Sequence, residues 1–233
     1  MSFLTIIQNA ALVTIGTDVS TTYSQTPEVK ELVYYAKQEG RELVKRGDWR
    51  VLRKELTYTT LGQEEQTSFI PSDCDHLVSD TIWNRTRRLP IWGPVTPQEW
   101  QNIKAWTTSP IKDTVYIRGS SALVAPVPPA GQTIAAEYIT KNYCIANGVP
   151  KSDWSDDNDT TLLPEYLFEL GVILRYKMAK GLDTSGALSQ YETQVRQYLE
   201  QDNPKRTIDL ANTDRYGGGR QPGVVVPPGN WGH

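Results

Sequence analysis

Arg88-Leu-Pro-Ile-Trp-Gly-Pro-Val-Thr-Pro-Gln-Glu-Trp100 sets two tryptophans among three prolines, and Tyr116-Ile-Arg-Gly-Ser-Ser-Ala-Leu-Val-Ala-Pro-Val-Pro128 follows as two short apolar runs about Arg118-Gly119. Neither segment keeps a helical period for long, and no run is longer than a short strand. Thr96 before Pro97, with Glu99 two residues further on, forms a capping box and predicts a short helix reaching Trp106. Residues 114–117 and 122–125 read as strands, 133–144 as a longer one, with Pro128-Pro-Ala-Gly131 as the turn before it. Upstream, residues 56–61 and 68–70 bracket Gly62-Gln63 as a hairpin would, and residues 77–83 read as one more strand. Residues 53–144 are therefore expected to be a β-rich insertion.

Outward from this region the period becomes helical. Residues 1–16 are apolar but lack a basic leader and are too short to span a bilayer, so they predict a first amphipathic helix stopped by Gly16. Pro27 opens a second helix, on which Val29, Leu32, Val33, Ala36, Gly40, Leu43 and Val44 form one stripe before Gly47. Trp49 and Leu52 follow as large apolar anchors, and residues 147–161 read as a polar linker. Beyond it, Leu163, Leu167, Leu170, Leu174 and Met178 mark a third long helix opened by Pro164, and Leu188, Tyr191, Val195, Tyr198 and Leu199 mark a fourth. Short helices are marginal alone, so the two chain ends must bury their stripes together. The expected class is α+β: a helical bundle formed by the N- and C-terminal helices (1–52 and 145–203), the β-rich insertion (53–144), and an extended C-terminal arm (204–233). The arm is rich in glycine and proline, with Val224-Val-Val226 and Trp231 as its apolar anchors.

Composition narrows the chemistry. Over 233 residues the net charge is −3 and the isoelectric point about 5.5, which is no nucleic-acid footprint. Cys74 and Cys144 stand apart without ligand-like neighbours and read as reduced thiols of a cytosolic protein. The acidic run Asp153-Trp-Ser-Asp-Asp-Asn-Asp159 lacks the alternation and the glycine of a calcium loop and reads as solvated. His76, beside Asp75, reads as a turn histidine rather than part of a triad. Arg85, Arg87 and Arg88 could meet phosphate, but arginines in an acidic protein more often pair with carboxylates across an interface. Trp83, Trp92, Trp100 and Trp106 could stack on sugars, with core and interface packing the stronger reading. No catalytic motif, metal site or cofactor signature stands out, so an enzyme is the weakest of the function classes.

The order of elements resembles one family. The helix ending Ile15-Gly16, the second helix running into Arg46-Gly-Asp-Trp49, then Ser68-Phe-Ile-Pro-Ser-Asp73, Asp80-Thr-Ile-Trp83, Pro90-Ile-Trp-Gly-Pro94 before Trp100, Tyr116-Ile-Arg-Gly119, Ala125-Pro126 and Glu137-Tyr-Ile139 are similar to the head-to-tail adaptors of tailed bacteriophages. These are the tail tubular protein A-like, packaged-DNA-stabilisation proteins. The resemblance implies a non-enzymatic virion protein of the neck, assembled in the host cytoplasm. It would form a ring, typically of twelve copies, docked beneath the portal protein and offering a face to the tail or nozzle protein. Packaged DNA would pass through without specific binding. By position, Gly217, Val224, Val225, Val226 and Trp231 would be the portal-binding arm, and Arg85, Arg87, Arg88 and Trp92 an interface loop. The alternative is a carbohydrate- or receptor-binding virion module built on the tryptophans.

Overall fold

A computed structural model describes residues 2–23, 26–105 and 112–202. The described residues fall in one compact unit, Met1–Asn203, and residues 204–233 lie outside the described residues, as does Trp106. The fold is α+β, with five helices and several antiparallel sheets among the described residues.

The helices are α1 (Phe3–Thr14), α2 (Pro27–Lys45), α3 (Pro97–Ala105), α4 (Glu165–Ala179) and α5 (Ser185–Asp202). Pro27 starts α2, as its missing N–H allows. Gly16 takes φ +65 just past α1. One apolar core gathers Phe3, Ile6 and Ile7 of α1, Leu32, Ala36 and Leu43 of α2, Leu167, Phe168 and Val172 of α4, and Tyr191 and Val195 of α5. Helices from both ends of the chain thus share one interior. Trp49 sits at 2% exposure beneath them and donates Nε1–H to the Leu43 carbonyl at 2.7 Å. None of the described helices is long and apolar enough to cross a membrane.

The strands are β1 (Arg53–Thr59), β2 (Glu65–Gln66), β3 (Cys74–Leu77), β4 (Trp83–Asn84), β5 (Leu89–Pro90), β6 (Thr114–Arg118), β7 (Ser121–Ala125), β8 (Thr133–Thr140), β9 (Cys144–Ala146), β10 (Val149–Lys151) and β11 (Thr160–Thr161). β8 is central: β1 pairs along it from Arg53↔Ile139 to Thr59↔Thr133, while β3 and β4 share its other edge and β5 extends from β4. A second sheet, β2-β7-β6, faces it across a core of Leu56, Phe69, Ile82, Ile91, Val115, Val124, Ile134 and Tyr138. The third sheet, β10-β9-β11, leads into α4.

Several local expectations change. The 56–70 hairpin is absent: β1 continues into Thr60 N–H bonding Gln132 O at 2.8 Å, and β2 pairs with β7 instead. Leu56 and Tyr58 share an apolar face with Ile134, Ala136 and Tyr138 of β8, and Phe69 packs edge-on against Tyr58 without strand pairing. The 77–83 strand breaks into β3 and β4 around Asp80 at φ +60, which sends Val78 to the helical core and Ile82 to the β core. On α4 the buried face runs through Phe168, Gly171 and Val172, leaving Met178 51% exposed.

The 147–161 linker, finally, is built structure. Trp154 is 2% exposed, stacks on Phe3 at 4.6 Å and meets Tyr143 and Phe168 edge-on. Two of its acids, Asp157 and Asp159, are tied into the structure, while Asp156 stays exposed as expected. Asp159, 2% exposed, accepts from the N–H groups of Ser155 and Asp156 at 2.7 and 3.0 Å. Asp157 accepts from Thr21 Oγ1–H at 2.6 Å and Thr22 N–H at 2.9 Å. Backbone and hydroxyl donors do for these carboxylates what a cation would otherwise do.

Candidate interaction surface

Asn84 organises the loop that carries the arginines. It is 1% exposed, its Oδ1 accepts Arg87 N–H at 3.0 Å, and its Nδ2 donates to Gln132 Oε1 at 2.8 Å. The loop is tied back to β8 by Arg85 N–H to Thr133 O at 2.9 Å and by Thr133 N–H to Thr86 Oγ1 at 2.9 Å. Arg88 then takes φ +59, which turns the chain into β5.

The downstream half is anchored on β6. Trp92 N–H donates to Asp113 O and Val115 N–H to Trp92 O, both at 2.8 Å, and Val95 N–H reaches Val115 O at 3.0 Å. Gly93 at φ +125 lets the chain lie this close, since a Cβ there would stand 2.4 Å from Val115 O. Side chains alternate along this run, so Ile91 enters the β core while Trp92 stays 45% exposed.

The charged side chains divide into two groups. Arg87 Nη1 donates to both Asp113 oxygens at 2.8 and 2.6 Å, and Asp113 is itself 8% exposed. Arg85 pairs with Glu55 on the outer face of the β1-β8-β4-β5 sheet. These two arginines therefore find their carboxylates within the chain, where the sequence reading expects partners across an interface. Arg88 has no such partner among the described residues. Lys112 Nζ stands 4.3 Å from the Trp92 ring centroid, a cation–π contact. What the loop presents outward is Arg88, Leu89 at 45% exposure, Trp92 and Lys112 on a backbone fixed at both ends.

The other aromatic residues do not join this surface. Trp100 is 2% exposed and stacks on Tyr116 at 5.7 Å, and Trp83 is half-buried beside Ala135. Gly217, Val224, Val225, Val226 and Trp231 lie outside the described residues. Cys74 and Cys144 are free thiols, and burial, reinforced by neighbouring aspartates, pushes them up to about 11 and about 12, far from nucleophilic. Sequence reasoning missed Asn84, Asp113 and Lys112. Asn84 had a visible signal, an Asn at the end of an expected strand and just before the arginine cluster, whereas Asp113 and Lys112 are linked to the loop only through β6.

No protein-family model matches the chain, and no curated protein does either.

Proposed function

We propose that this chain is a structural adaptor of a tailed-phage neck. Its helical bundle of N- and C-terminal helices (1–52 and 145–203) would carry the 53–144 insertion as a contact surface, and residues 204–233 would serve as the arm that engages the portal protein. The observation that carries the reading is the loop from Arg85 to Trp92. It spends buried hydrogen bonds and an ion pair to hold one tryptophan and one arginine outward, which is how interface anchors are preorganised. The resemblance in the order of elements quoted above supports the choice of family. A sugar-stacking module is less well supported, because Trp100 is packed away and Lys112 covers one face of Trp92.

Light scattering on the purified chain, alone and mixed with a portal ring, tests it. The expected result is a 26.2 kDa species alone and a ring bound to the portal in the mixture. A chain that ignores the portal, or that instead binds glycan arrays through Trp92, removes the adaptor reading.

A further inference from the structure

Between α2 and the β strands lies a cleft of about 290 Å³ lined by Arg41, Val44, Lys45, Asp75, Lys141, Ser152 and Asp153. Three cations face two carboxylates there, and both carboxylates are already committed. Asp153 accepts from Arg41 through Oδ2, and from Tyr143 O–H and Trp154 N–H at 3.1 Å through Oδ1. Asp75 Oδ2 holds His76 Nδ1 at 2.8 Å. The cations are less well answered. Lys141 Nζ donates to the neutral Ser72 carbonyl at 2.6 Å, and Lys45 has no partner among the described residues. Arg41 is held in place by Asp153 while its side chain stays 62% exposed.

Two ammonium groups and a positioned guanidinium thus open on one concave site, with the Ser152 hydroxyl beside them and buried Val44 in its wall. Charge-assisted donors converging on a cleft suit a multivalent oxyanion better than a monovalent one, because each oxygen can take a separate N–H. We propose that this cleft binds a phosphate-class oxyanion through Lys45, Lys141 and Arg41. It stands independently of the adaptor reading, since it uses none of the Arg85–Trp92 residues. A free phosphate and a nucleic-acid phosphodiester share this chemistry.

The test uses the full chain. Inorganic phosphate is titrated calorimetrically against a chloride background of equal ionic strength, and a short DNA duplex is titrated separately by anisotropy. Lys45→Gln and Lys141→Gln should each weaken phosphate binding roughly tenfold, the effect of one lost charge-assisted contact. Arg196→Gln, an equal charge change at an exposed position of α5, should leave it unchanged. Both lysines are exposed, so unchanged melting confirms that the variants fold. If the duplex weakens in the same two variants, the phosphodiester is the source. If only inorganic phosphate responds, a small oxyanion is. Wild type, both cleft variants and Arg196→Gln binding phosphate equally, or none binding it, overturns the site.

Discussion

Glu39 lies on the apolar face of α2 at 1% exposure, where a carboxylate has no business unless it is answered. Arg175 Nε donates to it at 2.8 Å from α4, and Tyr191 O–H donates to it from α5. Burial pushes its pKa up against the pull of both donors. The carboxylate reaches this place because α4 has no side chain at Gly171, where a Cβ would stand 2.2 Å from Glu39 Cδ. Gly171→Ala should therefore destabilise the fold by about 1–3 kcal/mol, the usual cost of overpacking, read as a lower urea midpoint at unchanged slope. Tyr191→Phe keeps the ring but strips the carboxylate of one donor and should cost roughly 1.5–3 kcal/mol. A neutral result for both would mean that Arg175 alone satisfies Glu39. The helical stripe of α2 is legible from Val29 to Val44, yet Glu39 is not, because its partners lie on two other helices. The signal that was available is Gly171 itself, a glycine inside a strong helical run, which marks close approach.

At the level of elements, His76 joins the end of α2 to the β sheet. Its Nδ1 meets Asp75 at 2.8 Å on β3, and its Nε2 meets Asp48 at 2.9 Å, just past α2. Only the protonated ring can donate from both nitrogens. Desolvation draws the pKa down, but hydrogen bonds and charge from Asp75 and Asp48 outweigh it and raise the pKa above 6.5. A raised folded-state pKa contributes stability that is complete below the unfolded value and lost as pH rises through the folded one. The gap in urea midpoint between wild type and His76→Asn should thus be widest below about pH 6.5 and narrow at higher pH. Arg41, Lys45, Lys141 and Asp153, which share the cleft with Asp75, temper the size of the change but not its sign. A gap that does not vary with pH would reduce His76 to a packing role. In the sequence only Asp75 was visible as a neighbour, and the residue read as a turn histidine. The hairpin expected between residues 56–61 and 68–70 failed for a related reason: local turn chemistry at Gly62 was legible, whereas the β8 strand that pairs with β1 lies more than seventy residues away. The capping box of α3, whose signal is wholly local, was read directly: Thr96 N–H meets Glu99 Oε2 at 2.8 Å and Glu99 N–H meets Thr96 Oγ1 at 3.3 Å.

For the whole molecule, two tryptophans separate stability from association. Trp49 is 2% exposed and its indole N–H is satisfied by Leu43, so it plugs the helical core where α2 gives way to β1. Trp49→Ala should cost roughly 3–5 kcal/mol, a large share of the ~5–15 kcal/mol that holds a domain together. Trp92 is 45% exposed, and its hold on β6 runs through backbone N–H and C=O groups that alanine retains. Trp92→Ala should therefore move the melting temperature little, within the range of about ±0.5 kcal/mol typical of exposed sites. If the Arg85–Trp92 loop is the contact surface of an adaptor, the same change should sharply reduce binding to the portal or tail component, with Arg88→Ala weakening it through a lost charge. Melting curves and co-sedimentation with the assembled partner, run on the same four proteins, separate these effects. Should the loss of assembly simply follow the loss of melting temperature across all four, the loop is an ordinary piece of surface, and its preorganisation serves the β sheet alone.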